Sequence, residues 1–423
     1  MLMAVEPHEN YPSGLRTLVF VLFFVFGGVT SLNYVVIPKL KGLFTLSYGE
    51  VMLVQSAFFA AYFFVSLPTA ELIRRIGYMR SAAVGLLTMT AGSLLFVPGS
   101  YAAQFGLFLL ALFVLASGIT IVQVVTSPLM AGLGPPASVI SRLTFAQACN
   151  SLGTAIFPYV GSTLILGSIA TVDPATLADG ALSAFRSAET RIIMRMYLGI
   201  ALALLILSAA VWALRRRLTE LAVQPVAFLR AFNLLVRPRF AFGALCIFLY
   251  VGAEVAIGSV IVNYLMQGNV LDLDAEAAGK HVPLYWGGAM VGRFFGAYLL
   301  RFFQPGKALA CAAAMSIALL VISANSGGSV SAWALLSVGL FNSIMFPAIF
   351  FIACLGLVKR AAEGSGLLCM AIVGGAFIPL LTGYAADLWG LKRALLVPAV
   401  CYCCILLYGC VFRGAVAAPR DDD

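Results

Sequence analysis

The sequence predicts an all-α integral membrane protein of twelve spanning helices, built as two six-helix bundles. Three observations carry that expectation. Of 423 residues, 62% are hydrophobic and only 10% are charged, whereas ordinary soluble domains carry about 25% charged residues. Apolar runs of about 20 residues, enough to cross roughly 30 Å of hydrocarbon as helix, recur along the whole length. The basic residues fall between these runs and crowd onto alternate connections.

The runs place helices at roughly 16–42, 48–76, 79–98, 101–132, 138–168, 189–215, 240–267, 282–303, 306–326, 330–358, 364–388 and 393–414. The first run is too long for a signal peptide, lacks a small-residue cleavage site and leads into further spans, so it reads as a helix. With a cytoplasmic N-terminus, one side of the membrane receives Arg16, Arg74, Arg75, Arg80, Arg142, Arg215–Arg217, Arg230, Arg237, Arg239, Arg301, Lys307, Lys359, Arg360, Arg413 and Arg420. The other receives only Lys39, Lys41, Arg186, Arg191, Arg195, Lys280, Lys392 and Arg393. This bias obeys the positive-inside rule and makes both termini cytoplasmic.

The domain organisation follows: a tail at 1–15, a bundle at 16–214, a basic cytoplasmic linker at 215–239, a second bundle at 240–414 and a tail at 415–423. The acidic, alanine-rich stretch Thr171–Thr190 reads as an outward connector, flexible or briefly helical. A formal charge of +9 on a soluble chain would suggest nucleic acid, but here it is spread along loops and records topology. All nine cysteines lie in apolar runs without zinc-site spacing to His8 or His281, so no disulfide, metal or cofactor is expected.

The halves echo one another. ELIRRIGYMRS after the second helix matches GRFFGAYLLRFFQPGKA after the eighth in joining an apolar helix end to a basic, glycine-containing turn. Gln123 precedes Pro128 by the same five residues that separate Asn342 from Pro347, and Ala155–Pro158 matches Ala376–Pro379. These pairs set an internal period of about 220 residues, as expected for parallel repeats around a central site.

A polar side chain costs free energy in hydrocarbon, so those within spans are expected to face the bundle interior. They are Ser31, Asn33 and Tyr34 in the first helix, Gln55 in the second, Gln123 in the fourth, Gln147 and Asn150 in the fifth, Glu254 and Asn263 in the seventh and Asn342 in the tenth. Amides and one carboxylate, mixed with Phe26, Tyr62, Tyr250 and Trp286, suit an uncharged polyhydroxylated ligand: amides bond hydroxyls and aromatic faces cover C–H surfaces. The same amides could instead join helices to one another at roughly 0.6 kcal/mol per bond. Gln147 and Asn150 share a face because they are three residues apart. Glu254 lies ~20 Å into its helix, near the midplane. It could cycle between protonated and ionised forms, coordinate Na⁺, accept from a ligand hydroxyl or hold a fixed neighbour such as Arg293. Arg293, nearer the cytoplasmic side, reads as a structural or gating charge, as do Glu71, Arg74 and Arg142.

Six segments resemble one family over nearly the whole chain: LNYVVIP, VQSAFFAAYF, RLTFAQACNSLG, YVGAEVA, FNSIMFPAIF and GLLCMAIVGGAFIPLLTG. They resemble the fucose and glucose/galactose permeases of the major facilitator superfamily, bacterial inner-membrane sugar symporters. The resemblance is to the glucose/galactose branch, whose seventh helix carries a glutamate where Glu254 stands; the fucose permeases have a glutamine there. It implies that Gln147 and Asn150 correspond to sugar-binding amides. Two departures bear on mechanism. The fucose permeases carry an acidic residue where this chain has Tyr34, and a glutamate where it has Gln123.

The expectation is therefore a monomeric importer of a neutral monosaccharide of glucose/galactose type, working by alternating access, with H⁺ or Na⁺ as possible coupling ion. Gln147, Asn150, Gln123 and Asn342 would bond hydroxyls, with Asn33, Tyr34, Gln55, Asn263 and Trp286 completing the lining. The alternatives are an uncoupled uniporter, an exporter of another small molecule on the same fold and a sugar sensor that does not transport. A membrane-embedded enzyme is not expected, because no Ser/His pair, paired carboxylates or midplane metal cluster is visible.

Overall fold

The structure is a computed structural model that describes residues 13–133, 139–166, 179–215, 232–299, 304–355, 357 and 361–413. Residues 1–12 of the expected N-terminal tail, the C-terminal tail, most of the basic linker and the side chains of Arg74 and Arg142 lie outside the described residues. Helices occur at all twelve expected places. The first span is α1 (Ser13–Ser31) with α2 (Asn33–Phe44); α3 (Tyr48–Ile76), α4 (Tyr78–Ala102), α5 (Phe105–Gly132), α6 (Val139–Gly161) and α7 (Asp179–Leu214) are the next five. The seventh and eighth are α8 (Pro238–Leu265) and α10 (Val282–Leu299), separated by the short α9 (Ala275–Gly279). Then come α11 (Pro305–Asn325), α12 (Gly328–Asn342) with α13 (Met345–Cys354), α14 (Ala361–Met370) with α15 (Gly374–Trp389), and α16 (Leu391–Ala394) with α17 (Leu396–Val411). Among the described residues, ten stretches are long and apolar enough to cross a membrane. The other two, the fifth and eighth spans, carry Gln147 with Asn150 and Arg293.

Local chemistry sets the ends and interruptions. Ser47 opens α3 through a capping box, accepting from the Glu50 amide at 3.1 Å while its own N–H donates to the Glu50 carboxylate at 2.8 Å. Gly77 sits between α3 and α4 at φ 82°, a left-handed conformation that costs glycine little. In the first span the hydroxyls of Thr30 and Ser31 bond back to the carbonyls of Phe26 and Gly28, and the helix breaks at Leu32. In the tenth span Pro347 has no N–H to offer the carbonyl four residues earlier, and the helix breaks at Ser343–Ile344.

Two compact units emerge, Met1–Val223 with Leu273–Pro283, and Gln224–Asp272 with Leu284–Asp423. Helix neighbours repeat in them. In the first unit α1 packs on α6, and α4 on α5 and α7; in the second α8 packs on α15, and α11 on α12 and α17. These are the same pairs of spans, first with fifth, third with fourth and third with sixth. The segment around α9 belongs to the first unit, where α9 packs on the π-helical turn Ser162–Leu166.

Close approach in each unit depends on glycine. A Cβ on Gly153 would lie 2.1 Å from the Phe24 carbonyl oxygen, and one on Gly374 would lie 1.8 Å from that of Phe248. Both glycines are in the fifth span of their unit and both partners in the first, so one packing device recurs at the repeat period.

Two expectations change. The stretch Thr171–Thr190 is not a connector throughout, because from Asp179 it is already helix, and α7 runs 36 residues. That is ~54 Å, well beyond a hydrocarbon core of ~30 Å. Lys39, expected among the solvent-facing charges at the end of the first span, is not solvent-facing. It is buried inside α2, 3% exposed, and its ammonium donates to Glu189 of α7 in an ion pair. Nearby, the Arg186 guanidinium donates to the Leu43 carbonyl at 3.2 Å and lies over the Phe44 ring. Reading each charge alone as a marker of water missed this pairing, which lets both charges enter the bundle.

Two results follow from this packing. Gly374→Ala should lower stability by about 1–3 kcal/mol through overpacking, whereas Gly199→Ala, with nothing within 4 Å of the new Cβ, should be neutral or slightly stabilising. Thermal unfolding in detergent followed by tryptophan fluorescence separates them. In the same assay Lys39→Met alone should cost about 3–5 kcal/mol by leaving Glu189 buried without its partner, and the Lys39→Met/Glu189→Leu double variant should recover most of that loss.

Candidate functional site

Polar side chains of the second unit converge on Glu254 and Asn342. Glu254 lies in the middle of α8 and is 9% exposed; Asn342, the last residue of α12, is fully buried. The hydroxyl of Tyr250, one turn before Glu254 on α8, lies 2.9 Å from Glu254 Oε1 and 3.0 Å from the Asn342 main-chain oxygen. Tyr285 of α10 donates to the Glu254 main-chain oxygen at 3.2 Å. Its hydroxyl oxygen also accepts from Asn342 Nδ2 at 2.8 Å. Tyr402 of α17 donates to Asn342 Oδ1 at 2.7 Å. Four helices are thus tied by five close polar contacts; Tyr285, Tyr402 and Asn342 each donate in one, and the single Tyr250 proton is shared between the other two. Arg293 on α10 is exposed at its side chain and lies within electrostatic reach of Glu254 and Tyr250.

The first unit holds a smaller counterpart. Tyr62 of α3 donates to Gln123 Oε1 of α5 at 3.0 Å and has Thr30 of α1 in hydrogen-bonding reach. In both units a tyrosine from the second span meets the amide of the fourth, Tyr62 with Gln123 and Tyr285 with Asn342. Separations of 223 and 219 residues agree with the period read from the sequence.

The other candidates divide. Asn150 donates to the Phe23 carbonyl at 3.2 Å, and Gly27 packs directly beneath its amide, so it joins α6 to α1. Gln147, one turn earlier on the same face, is exposed. Asn33, Tyr34 and Gln55 are almost wholly buried, and neither amide atom of Asn33 has a protein partner. Asn263 lies nine residues beyond Glu254 on α8, ~13 Å along the helix and away from the cluster. Trp286 packs edge-on against Tyr285, 5.1 Å between ring centroids. Glu71 bonds Arg75 at 2.6 Å on an exposed helix face, where such a pair contributes about 0.3–0.5 kcal/mol. Among the described residues, no three His, Cys, Asp or Glu side chains sit close enough to hold a metal ion.

Tyr402 was not legible as a site residue, since it sits in the apolar CYCC run without polar neighbours in sequence. Tyr250 was read only as one of the aromatics of the lining, although its spacing of four from Glu254 puts the two on one helix face. Asn342 has both amide atoms engaged by tyrosines, so it organises the cluster instead of offering itself to a ligand hydroxyl. Tyr402→Phe should therefore leave the buried Asn342 oxygen short of a donor and cost about 1–3 kcal/mol, while Tyr384→Phe, at an exposed position, should cost nothing measurable. Melting in detergent reads both.

The chain matches the Major Facilitator Superfamily over residues 18–370. It is 43% identical over 404 residues to a "Glucose/galactose transporter" of Brucella abortus, covering 95% of each chain. It is 31% identical to the "L-fucose-proton symporter" of Escherichia coli K12 over 92% of this chain and 90% of that one. Among solved structures, the major facilitator superfamily transporter FucP in its outward conformation superimposes with a TM-score of 0.70 at 28% identity, covering 95% of this chain and 99% of that one. The chain belongs to the major facilitator superfamily, in the branch of the fucose and glucose/galactose permeases.

Proposed function

We propose that this transporter imports a neutral hexose of glucose/galactose type across a bacterial inner membrane by alternating access, with uptake coupled to a cation through Glu254. The observation that carries the reading is the buried carboxylate of Glu254, held by a tyrosine hydroxyl inside a chain built like sugar permeases. A carboxylate with a neutral donor can take up and release a proton without leaving a buried cation behind. In the first bundle Gln147, exposed on α6, is the group best disposed to meet a sugar, and in the second it is Trp286 beside the cluster; Gln123 and Asn342 each tie helices of their own bundle. The protein works as a monomer with both termini in the cytoplasm, its two bundles at 16–214 and 240–414 joined by the basic linker. Its chemistry is binding and release, and it needs no organic cofactor or metal.

Tyr34 and Gln123 stand where the fucose permeases carry acids, and this favours one second reading, uncoupled uniport. Counterflow in proteoliposomes against a hexose panel, with Na⁺ and pH gradients varied independently, separates the two. Under the coupled reading Glu254→Gln abolishes uphill accumulation and leaves exchange partly intact. Equal loss of exchange would reassign Glu254 to sugar binding, and a wild type indifferent to both gradients would leave uniport. Gln147→Ala should raise the exchange KM about tenfold, the effect of losing roughly one hydrogen bond to the ligand.

A further inference from the structure

Tyr250 presents one hydroxyl to two acceptors, Glu254 Oε1 at 2.9 Å and the Asn342 main-chain oxygen at 3.0 Å. A phenol carries a single proton, so it cannot satisfy both fully at once. When Glu254 is ionised, its carboxylate is the stronger acceptor and takes the Tyr250 hydrogen bond. When Glu254 has gained a proton from water, its own O–H donates to the Tyr250 oxygen. The Tyr250 hydroxyl then turns to donate to the Asn342 carbonyl.

The second acceptor sits at a mechanically distinctive place. Asn342 ends α12, and the tenth span is interrupted at the next two residues before α13 begins. The Asn342 side chain is fixed on both sides by Tyr285 and Tyr402, so it anchors the end of α12 while its carbonyl gains or loses a partner. The groups facing Glu254 are few. Tyr250 comes from its own helix, Tyr285 and Arg293 from α10, and Tyr402 from α17. From α13 the Phe346 ring lies 6.4 Å from that of Tyr250, and from α15 Gly374 and Ile378 pack on Gly252. Arg293 is the cation among these groups, and Tyr250 is the one whose hydroxyl spans both the acid and the break.

We propose that Tyr250 is a positioning residue of the transport cycle that passes the charge state of Glu254 to the break in the tenth span, by moving its hydrogen bond between the carboxylate and the Asn342 carbonyl. This rests on the reading of Glu254 as the coupling group. Protonation of the acid adds a bond to the end of α12, and deprotonation removes it. The break thereby receives the signal through a hydroxyl that contacts both the carboxylate and the end of α12.

The test compares wild type, Glu254→Gln and Tyr250→Phe in proteoliposomes, measuring hexose exchange from acid to alkaline pH together with uptake driven by a proton gradient. Couplings of this kind are typically 5–150-fold, so the acid-to-alkaline change in wild-type exchange should shrink at least about fivefold in Tyr250→Phe although its carboxylate is intact. Glu254→Gln should be flat, because its neutral amide donates to Tyr250 at every pH. A Tyr250→Phe profile with the wild-type shape, scaled or not, overturns the proposal and leaves Tyr250 a packing residue. Uphill uptake by Glu254→Gln, or a flat wild type, would instead sink the coupling role of Glu254 and is a separate result. Should Tyr250→Phe fail to fold, amide hydrogen exchange at Ser343–Met345 in the other two proteins decides. After correction for intrinsic rates, protection should change with pH in wild type and stay fixed in Glu254→Gln. A pH-independent wild-type break overturns the proposal.

Discussion

Hydrocarbon supplies no hydrogen-bond partners, so a polar side chain inside these spans is stabilised by a partner within its own bundle. Tyrosine is the main answer. Its ring packs as an apolar body and its hydroxyl reaches a specific atom, which is how Tyr62 meets Gln123 and how Tyr250, Tyr285 and Tyr402 surround Glu254 and Asn342. Lysine or arginine in the same places would satisfy the acceptors but would bring charges that themselves need partners. In the first unit Lys39 and Glu189 enter together as an ion pair.

Such contacts require backbones closer than most side chains allow. Glycine provides the space in the first and fifth spans of one unit and in the seventh and eleventh of the other, where Gly153 and Gly374 rest on carbonyl oxygens. Helix–helix approach through small residues replaces the hydrophobic driving force, which is weak between helices already in lipid. Packing and polar pairing thus repeat together but between different helices: the glycines join the first and fifth spans of each unit, and the tyrosine–amide pairs join the second and fourth.

Span number and type were legible because apolar length is a strong, local signal, and the repeat period was legible because paired amides and prolines survive in both halves. Boundaries were less so. The helix of α7 begins well before the hydrophobic run, since Lys39 and Arg186 tie its polar first turns to the first span. Breaks in the first and tenth spans follow from hydroxyl back-bonding and from Pro347, signals that a hydropathy pattern averages away. At the site, Glu254 and Asn342 announced themselves as polar residues in apolar runs. Tyr402 did not, because a tyrosine in a span looks like any other aromatic until its partner, here 60 residues away, is known. Asn150 was legible as polar but not as a helix joint, a distinction that depends on which backbone lies opposite it.

The repeat also exposes an asymmetry. Counting back one period from Glu254 reaches Tyr34, a buried aromatic, so the two units share a tyrosine–amide scaffold but differ at the position that can carry charge. In the first unit the partly buried acid Glu189 is closed in an ion pair with the buried Lys39, and the pair adds no net charge. In the second, Glu254 is held by hydroxyls, with Arg293 within electrostatic reach but exposed. On the coupling role proposed for Glu254, a change of its charge is registered in the second unit through Tyr250 and the tenth span, while the Lys39–Glu189 pair of the first unit carries no net charge to change.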